Sequence, residues 1–201
     1  MHGYTEQLVE ALVGRLFIPL EASGRHVHVT AQQAQTLFGH GLTPERPLSQ
    51  PGQFVAKERV TIRGEKGGFE NVAVLGPERK EAQVEVSLTD ARTMGLTVPI
   101  RPSGDVSGSP GCTLVGQMGS VELSRGVIAA QRHIHMTPED ARHFHVNDGQ
   151  MVSLKTYTDR PVVFEDVLVR VSPNFATNAH LDYDEANACG YQKGDLGRIL
   201  P

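Results

Sequence analysis

The feature that most constrains this chain is a histidine-bearing strand running straight into a capped helix, present twice at a fixed spacing. Arg132-His133-Ile134-His135-Met136-Thr137-Pro138-Glu139-Asp140-Ala141 repeats Arg25-His26-Val27-His28-Val29-Thr30-Ala31-Gln32-Gln33-Ala34 at a constant offset, 133 − 26 = 107 and 135 − 28 = 107. Alternate residues of a strand leave the same face, so each His-x-His pair presents both imidazoles together. Thr30 and Thr137 then suit N-caps, Pro138 the first helical position and Asp140 the first turn. A weaker copy, Val84-Glu85-Val86-Ser87-Leu88-Thr89-Asp90-Ala91-Arg92, puts Glu85 where His28 and His135 stand and Ser87 at the cap. Gln33, Asp90 and Asp140 fall three residues after their caps, where a capping box places an acid or amide. One strand-then-helix unit is therefore used three times, each time with a metal-ligand residue type just before the turn.

The rest of the chain reads as short strands. Runs rich in Val, Ile and Leu occupy 58–63, 69–75, 82–88, 113–117, 119–123, 126–130, 150–155 and 162–171, most of them parted by Gly or Pro turns. This pattern indicates mainly β structure, barrels or sandwiches with small helices, and not alternating βαβ units. The doubled motif predicts two barrels related by duplication. Residues 37–57 carry Gly39, Gly41, Pro44, Pro47, Pro51 and Gly52 and read as an excursion. Pro19 argues for an edge or first-residue position in the strand that begins near Phe17. In 4–17, Leu8, Leu12 and Leu16 lie at helical spacing. That stretch reads first as a helix packing on its own domain, with docking to a partner as the alternative.

Composition removes several function classes. A net charge of −4 gives no general attraction to nucleic acid or to an acidic membrane surface. There is no apolar run long enough for a membrane span and no secretory signal pattern. Cys112 and Cys189 form no CxxC pair, so a reducing, cytoplasmic setting fits. Nine histidines are the compositional outlier, and five of them lie within 133–180.

Imidazoles with a carboxylate suit zinc above all, and cobalt, iron or manganese as well. Sorted by copy, His26, His28 and Glu85 would hold one metal and His133, His135 and His180 another. Three protein ligands per metal leave a position open, which is the catalytic pattern. Arg25 and Arg132 precede the two histidine pairs, and Arg79 follows a strand shortly before Glu85, so each is a candidate clamp for an anionic oxygen. Arg170 lies within an apolar strand and would point outward unless it faces a cleft. His2, His40, His143 and His145 read as terminal or surface residues.

At this point the chain resembles a known family. Ile18-Pro19-Leu20-Glu21-Ala22-Ser23-Gly24-Arg25-His26-Val27-His28, Gln50-Pro51-Gly52-Gln53-Phe54, Leu75-Gly76-Pro77, Gln83-Val84-Glu85-Val86-Ser87 and Ser109-Pro110-Gly111 are similar to the propanediol-utilisation-type phosphotransacylases. So are Gly126 to Met136, Arg170-Val171-Ser172-Pro173 and Asp184-Glu185-Ala186-Asn187-Ala188. The resemblance covers almost the whole chain. It implies reversible conversion of a short-chain acyl-CoA, propanoyl-CoA or acetyl-CoA, plus phosphate to acyl phosphate plus CoA.

The resemblance also implies two β-barrels capped by short helices, with a two-zinc site between them and an exchanged strand. Residues 1–24 with 131–201 would make one barrel, and 25–130 the other. His26, His28 and Glu85 would bind the first zinc, and His133, His135 and His180 the second. Arg79 would be the catalytic, phosphate-binding arginine, with Ser103 and Arg170 near the phosphate. Ser23 and Asn187 would line the CoA pocket. Ala73 departs from the pattern, since relatives often carry arginine in that segment. The family's setting suggests a homodimer or higher oligomer, inside a bacterial microcompartment or free in the cytoplasm, with 4–17 as a contact to shell or cargo.

Two rival readings are distinguishable. A cupin-like mononuclear enzyme would use His133, His135, Glu139 and His180, and leaves the copy at 26–28 unexplained. A non-catalytic, zinc-stabilised microcompartment module would saturate its metals with four protein ligands.

Overall fold

The computed structural model describes residues 13–200. In chain order the first strands are β1 (Ile18–Ser23), β2 (His26–His28), β3 (Pro44–Pro47), β4 (Phe54–Arg63), β5 (Gly68–Gly76) and β6 (Gln83–Glu85). Then come β7 (Ile100–Arg101), β8 (Cys112–Val115), β9 (Ser120–Leu123), β10 (Val127–Ala130) and β11 (His133–Met136). The last are β12 (Met151–Tyr157), β13 (Val163–Val171), β14 (Asn178–Asp182) and β15 (Leu196–Ile199). The helices are α1 (Ala31–Phe38), α2 (Leu88–Met94), α3 (Pro138–His143) and α4 (Tyr183–Cys189). Residues 13–16 are also helical. Leu16 is 53% exposed, while Leu8 and Leu12 of the expected stripe lie outside the described residues. Among the described residues no helix is long and apolar enough to cross a membrane.

The chain divides into two compact units. One takes the residues up to Ser23, Arg132–Leu181 and Glu185 onward; the other takes Gly24–Gln131 and Asp182–Asp184. In the first unit six strands close into a barrel in the order β1-β14-β11-β13-β12-β15. Alternation along the strands supplies its core: Ile18 and Leu20 point in while Pro19 is exposed, and Ile134, Met136, Leu154, Val169 and Leu181 join them. Each such side chain contributes about 1.5–3 kcal/mol by leaving water. Pro19 is not at an edge, because closure leaves the barrel none; it is the second residue of β1, opposite Leu196.

The second unit is a curled half-barrel, ordered β7-β10-β6-β2-β5-β4-β8-β9, with β3 on β4. Its core is built on Val27, Leu37, Ile62, Val74, Val84, Met94 and Leu114. The 37–57 excursion is more ordered than its Gly and Pro content suggests, since it holds β3 and the start of β4.

The duplication is visible in the backbone. The parallel pair β2–β5 sets His26 beside Ala73, and β11–β13 sets His133 beside Leu168. The antiparallel pair β2–β6 sets His26 beside Glu85, and β11–β14 sets His133 beside His180. Asn71 and Asp166 both adopt positive φ, 54° and 53°. They differ by 166 − 71 = 95, as do Glu85 and His180 (180 − 85 = 95). The two offsets differ by 107 − 95 = 12 because the first copy carries the extra excursion between β2 and β4. The strand before each histidine pair is exchanged: β1 precedes β2 but joins the barrel, and β10 precedes β11 but joins the half-barrel.

The repeated helices start as expected and then diverge. Thr30 forms a full capping box with Gln33. Ser87 accepts from the Asp90 N–H at 3.2 Å and Thr137 from the Asp140 N–H at 3.1 Å. Asp90 and Asp140 do not complete boxes. The Asp90 carboxylate binds Arg25, and that of Asp140 accepts the hydroxyls of Thr137 and Thr177.

Helices α1, α2 and α4 are followed by glycine at positive φ, Gly39, Gly95 and Gly190, whereas α3 is followed by the exposed His145 at 55°. A side chain in that region costs ~1–2 kcal/mol, of which glycine's greater chain entropy returns about half. His145→Gly is therefore expected to stabilise the fold by ~0.5–1 kcal/mol, read as a rise in Tm of a few degrees with metal content unchanged.

Candidate metal centres

The half-barrel places His26, His28 and Glu85 within reach of one another, and the barrel does the same for His133, His135 and His180. In each group the ligand-type atoms lie within 4.8 Å of each other. Both groups arise the same way. Two strands pair antiparallel, one supplies the His-x-His pair, and the other supplies a single ligand opposite its first histidine.

In the half-barrel all three residues are buried, at 6%, 2% and 7% exposure. His26 Nδ1 donates to the Gly24 carbonyl at 2.8 Å, which turns Nε2 toward Glu85 Oε2, 3.5 Å away. That distance is long for a direct hydrogen bond. The other carboxylate oxygen, Oε1, accepts from Ser103 Oγ at 2.8 Å and from the Gln83 amide. Gln83 in turn accepts from the Gly104 N–H at 2.8 Å. His28 Nδ1 is buried without a hydrogen-bond partner. A buried orphan nitrogen is costly unless something occupies it. The three ligand-type atoms of the group lie close together, and two imidazoles with a carboxylate are a donor set that fits a divalent metal such as zinc.

Electrostatics within this group are coupled. Burial would push the Glu85 carboxyl up, but the neighbouring His26, His28 and Ser103 hold it well below the usual carboxylate range. Burial, His26 and Arg79 hold His28 well below the usual imidazole range. Burial also opposes charge on His26, yet Glu85 and the Gly24 carbonyl outweigh it and raise that residue. An ionised carboxylate beside a neutral imidazole is the protonation state metal binding requires.

In the barrel, His135 Nδ1 and His180 Nε2 lie 3.2 Å apart, and the three ring centroids are separated by 4.6–5.0 Å. His180 Nδ1 faces Glu21 Oε2 at 3.9 Å. A carboxylate behind a ligand imidazole fixes its tautomer and raises its basicity. Phe175 packs on the His135 ring at 4.1 Å. Here too the residues fit a divalent metal. Each group has three ligand-type side chains, and Glu139, which the mononuclear reading would add, is exposed on α3 and is not part of the His133, His135 and His180 group.

The other expected residues are distributed as follows. Arg79 is half-buried in the half-barrel, its Nη1 3.5 Å from Ser103 Oγ, and its charge bears on both histidines there. Ser103 thus links Arg79 to Glu85. Arg170 stands beside His135 in the β11–β13 register, so it shares that residue's face of the barrel. Ser23 ends β1, half-buried, and Asn187 is exposed on α4. Arg25 and Arg132 are engaged by acids, Asp90 and Glu185. His40, His143 and His145 are exposed.

Three contributors were missed from sequence. Asp182, Glu185 and Ala186 make His180-Leu181-Asp182-Tyr183-Asp184-Glu185-Ala186 a fourth copy of the repeated unit. The signal was present, but Asp in place of Ser or Thr at the cap position and Asn178 in place of a first histidine hid it. Glu21 follows only once a strand pairing is known. Ile128 pairs with Glu85, and the two offsets carry that pairing to Glu21 and His180. Gln83 carries no pattern of its own.

A family model described as phosphate propanoyltransferase matches residues 19–192. The chain is 54% identical to a phosphate propanoyltransferase of Enterococcus faecalis over 202 residues, 96% of each chain. It is 50% identical to that of Clostridioides difficile, covering 100% of this chain and 99% of the relative. It is 51% identical to that of Thermotoga maritima, covering 89% and 86%.

Proposed function

The chain belongs to the phosphate propanoyltransferase family and is a phosphate acyltransferase, and we propose that it converts a short-chain acyl-CoA plus phosphate to acyl phosphate plus CoA with two bound zinc ions. The observation that carries the metal reading is the pair of three-residue donor sets, one with an orphaned buried nitrogen at His28. His26, His28 and Glu85 would hold one ion, and His133, His135 and His180 the other. Such an ion, when bound, supplies Lewis acidity toward a thioester carbonyl and neutralises a departing thiolate.

The chain's own residues supply the rest. A phosphate oxygen attacks the thioester carbonyl carbon, the carbon–sulfur bond breaks, and CoA leaves as the thiolate. The Arg79 guanidinium offers a planar fork to the phosphate, held at its Nη1 by Ser103. Arg170, beside His135, is a second positive group for a phosphate oxygen. Ser23 and Asn187 are assigned to the CoA pocket by the family pattern. Phosphate itself is the nucleophile. The two cysteines support this, since burial pushes the Cys112 thiol up to about 12 and also raises Cys189, which leaves neither as a ready thiolate.

The test is thiol release from acetyl-, propanoyl- and butanoyl-CoA with phosphate, with and without a chelator. Release that requires phosphate and is lost with the chelator is expected. The acyl chains should differ modestly, because one methylene is worth only ~1–3 kcal/mol. A trapped acyl adduct on the protein would overturn direct transfer, and full activity after metal removal would overturn the metal reading.

A further inference from the structure

We infer that Arg25 and Arg132 are positioning residues, each locking together the two ligand strands of its own histidine group from the face opposite the ligands. The inference rests on the two-metal reading. Arg25 immediately precedes His26, and neighbouring residues of an extended chain point to opposite sides. Its guanidinium makes a two-pronged contact with Asp90, Nε to Oδ2 at 2.9 Å and Nη2 to Oδ1 at 2.8 Å. It also lies over the Phe69 ring, 4.1 Å from the centroid. Asp90 is buried and sits five residues after Glu85, in the helix that the Glu85 strand feeds. The pair thus ties the residue before the first histidine to the helix behind the third ligand.

The barrel repeats the arrangement with different hydrogen bonding. Arg132 immediately precedes His133, and its Nη1 donates to Glu185 Oε1 at 2.9 Å. Glu185 sits five residues after His180, in helix α4. Arg132 also lies over Phe164, 5.8 Å from the centroid, and its Nε donates to the Glu165 carbonyl at 2.6 Å. Phe164 stands to Phe69, and Glu185 to Asp90, at the same offset that relates His180 to Glu85 (164 − 69 = 95; 185 − 90 = 95). Ion pair and ring contact accompany the ligands through both copies, although much of the sequence between them differs. A side chain needed only for general stability has no reason to track the third ligand in this way. The guanidinium suits the role, because a planar fork fixes orientation as well as distance, and lysine offers neither the fork nor the stacking.

The test uses the full chain stripped of metal and titrated with Co²⁺, read by its visible d–d absorption, with thermal unfolding of the metal-free protein measured in parallel. Wild type is expected to take up Co²⁺ at two sites. Arg25→Met should weaken one site by ~10–100-fold, the range seen when a residue supporting a ligand is lost, and leave the other unchanged. Arg132→Met should do the reverse, and the His28→Ala background, which keeps only the barrel site, identifies which site each one touches. Arg25→Lys should fall between. Should Arg25→Met fail to fold, Asp90→Asn keeps the volume and removes the charge, and should weaken the same site. A lower unfolding temperature with both Co²⁺ affinities unchanged would overturn the inference. A wild-type protein that takes up no Co²⁺ would overturn the two-metal reading, and the inference with it.

Discussion

His28→Ala and His135→Ala are each expected to remove one metal per chain and to cut acyl transfer by at least ~100-fold, since metal activation of an acyl or phosphoryl group is worth several kcal/mol. The two residues hold equivalent places, each the last histidine before a helix cap. His28 is 2% exposed and supplies one of the three donors of the half-barrel group, so its loss leaves that group incomplete. Two donors remain, too few to compete with water for the ion. His135 packs between His180 and Phe175, and its loss opens the barrel group in the same way. Elemental analysis of purified protein gives the metal count, thiol release gives the rate, and circular dichroism verifies the fold. Should wild type carry a single metal and one of the two variants stay fully active, the mononuclear reading would replace this one.

Arg79→Ala is expected to cut kcat/KM for phosphate by ~10²–10³, the loss typical of removing a preorganised charge from a developing anion. Arg79→Lys should lie between it and wild type, because lysine keeps the charge and loses the fork. Both variants should keep their metals, since Arg79 is not one of the three donors and is linked to Glu85 through Ser103. Its positive charge also opposes a cation held by His26 and His28, so its removal does not weaken that electrostatic attraction. The reverse reaction should fall in proportion, as the unchanged overall equilibrium constant requires. The competing view treats Arg79 as a surface ion pair worth ~0–1 kcal/mol of stability and nothing in rate. Steady-state kinetics with phosphate as the varied substrate decides, and an Arg79→Ala protein with unchanged phosphate KM and kcat would take Arg79 out of the active site.

Much of this protein was legible because its chemistry is tied to local pattern. His-x-His puts two imidazoles on one face of any strand, and a Thr or Ser two residues on must stop that strand to cap a helix. These rules act over a few residues and do not depend on what packs around them. They placed β2 with α1, β6 with α2 and β11 with α3, and they named His26, His28, Glu85, His133 and His135, five of the six residues that the fold gathers into two groups. The same rules stopped short at β14. Asp182 stands where the other copies have Thr or Ser and Asn178 replaces a histidine, so a copy with a weaker pattern passed as an ordinary strand.

What the tertiary structure alone decided is which partner each local unit meets. Asp90 and Asp140 hold the same helical position, yet one is taken by Arg25 across the sheet and the other by Thr177. A capping rule cannot separate them, because the competing partner comes from a distant part of the chain. Glu21 reaches His180 only because β1 crosses into the barrel and lies beside β14. Closure is the clearest case. Both units alternate buried and exposed residues in the same way, and both contain the same four-strand core of hairpin, histidine strand and third-ligand strand. One becomes a barrel because β1 hydrogen-bonds to β15 as well as to β14, while the ends of the other sheet, β7 and β9, stay apart. Alternation fixes which face of a strand is buried, but whether the last strand finds the first depends on twist and stagger summed around the sheet, and no short stretch of sequence encodes that sum.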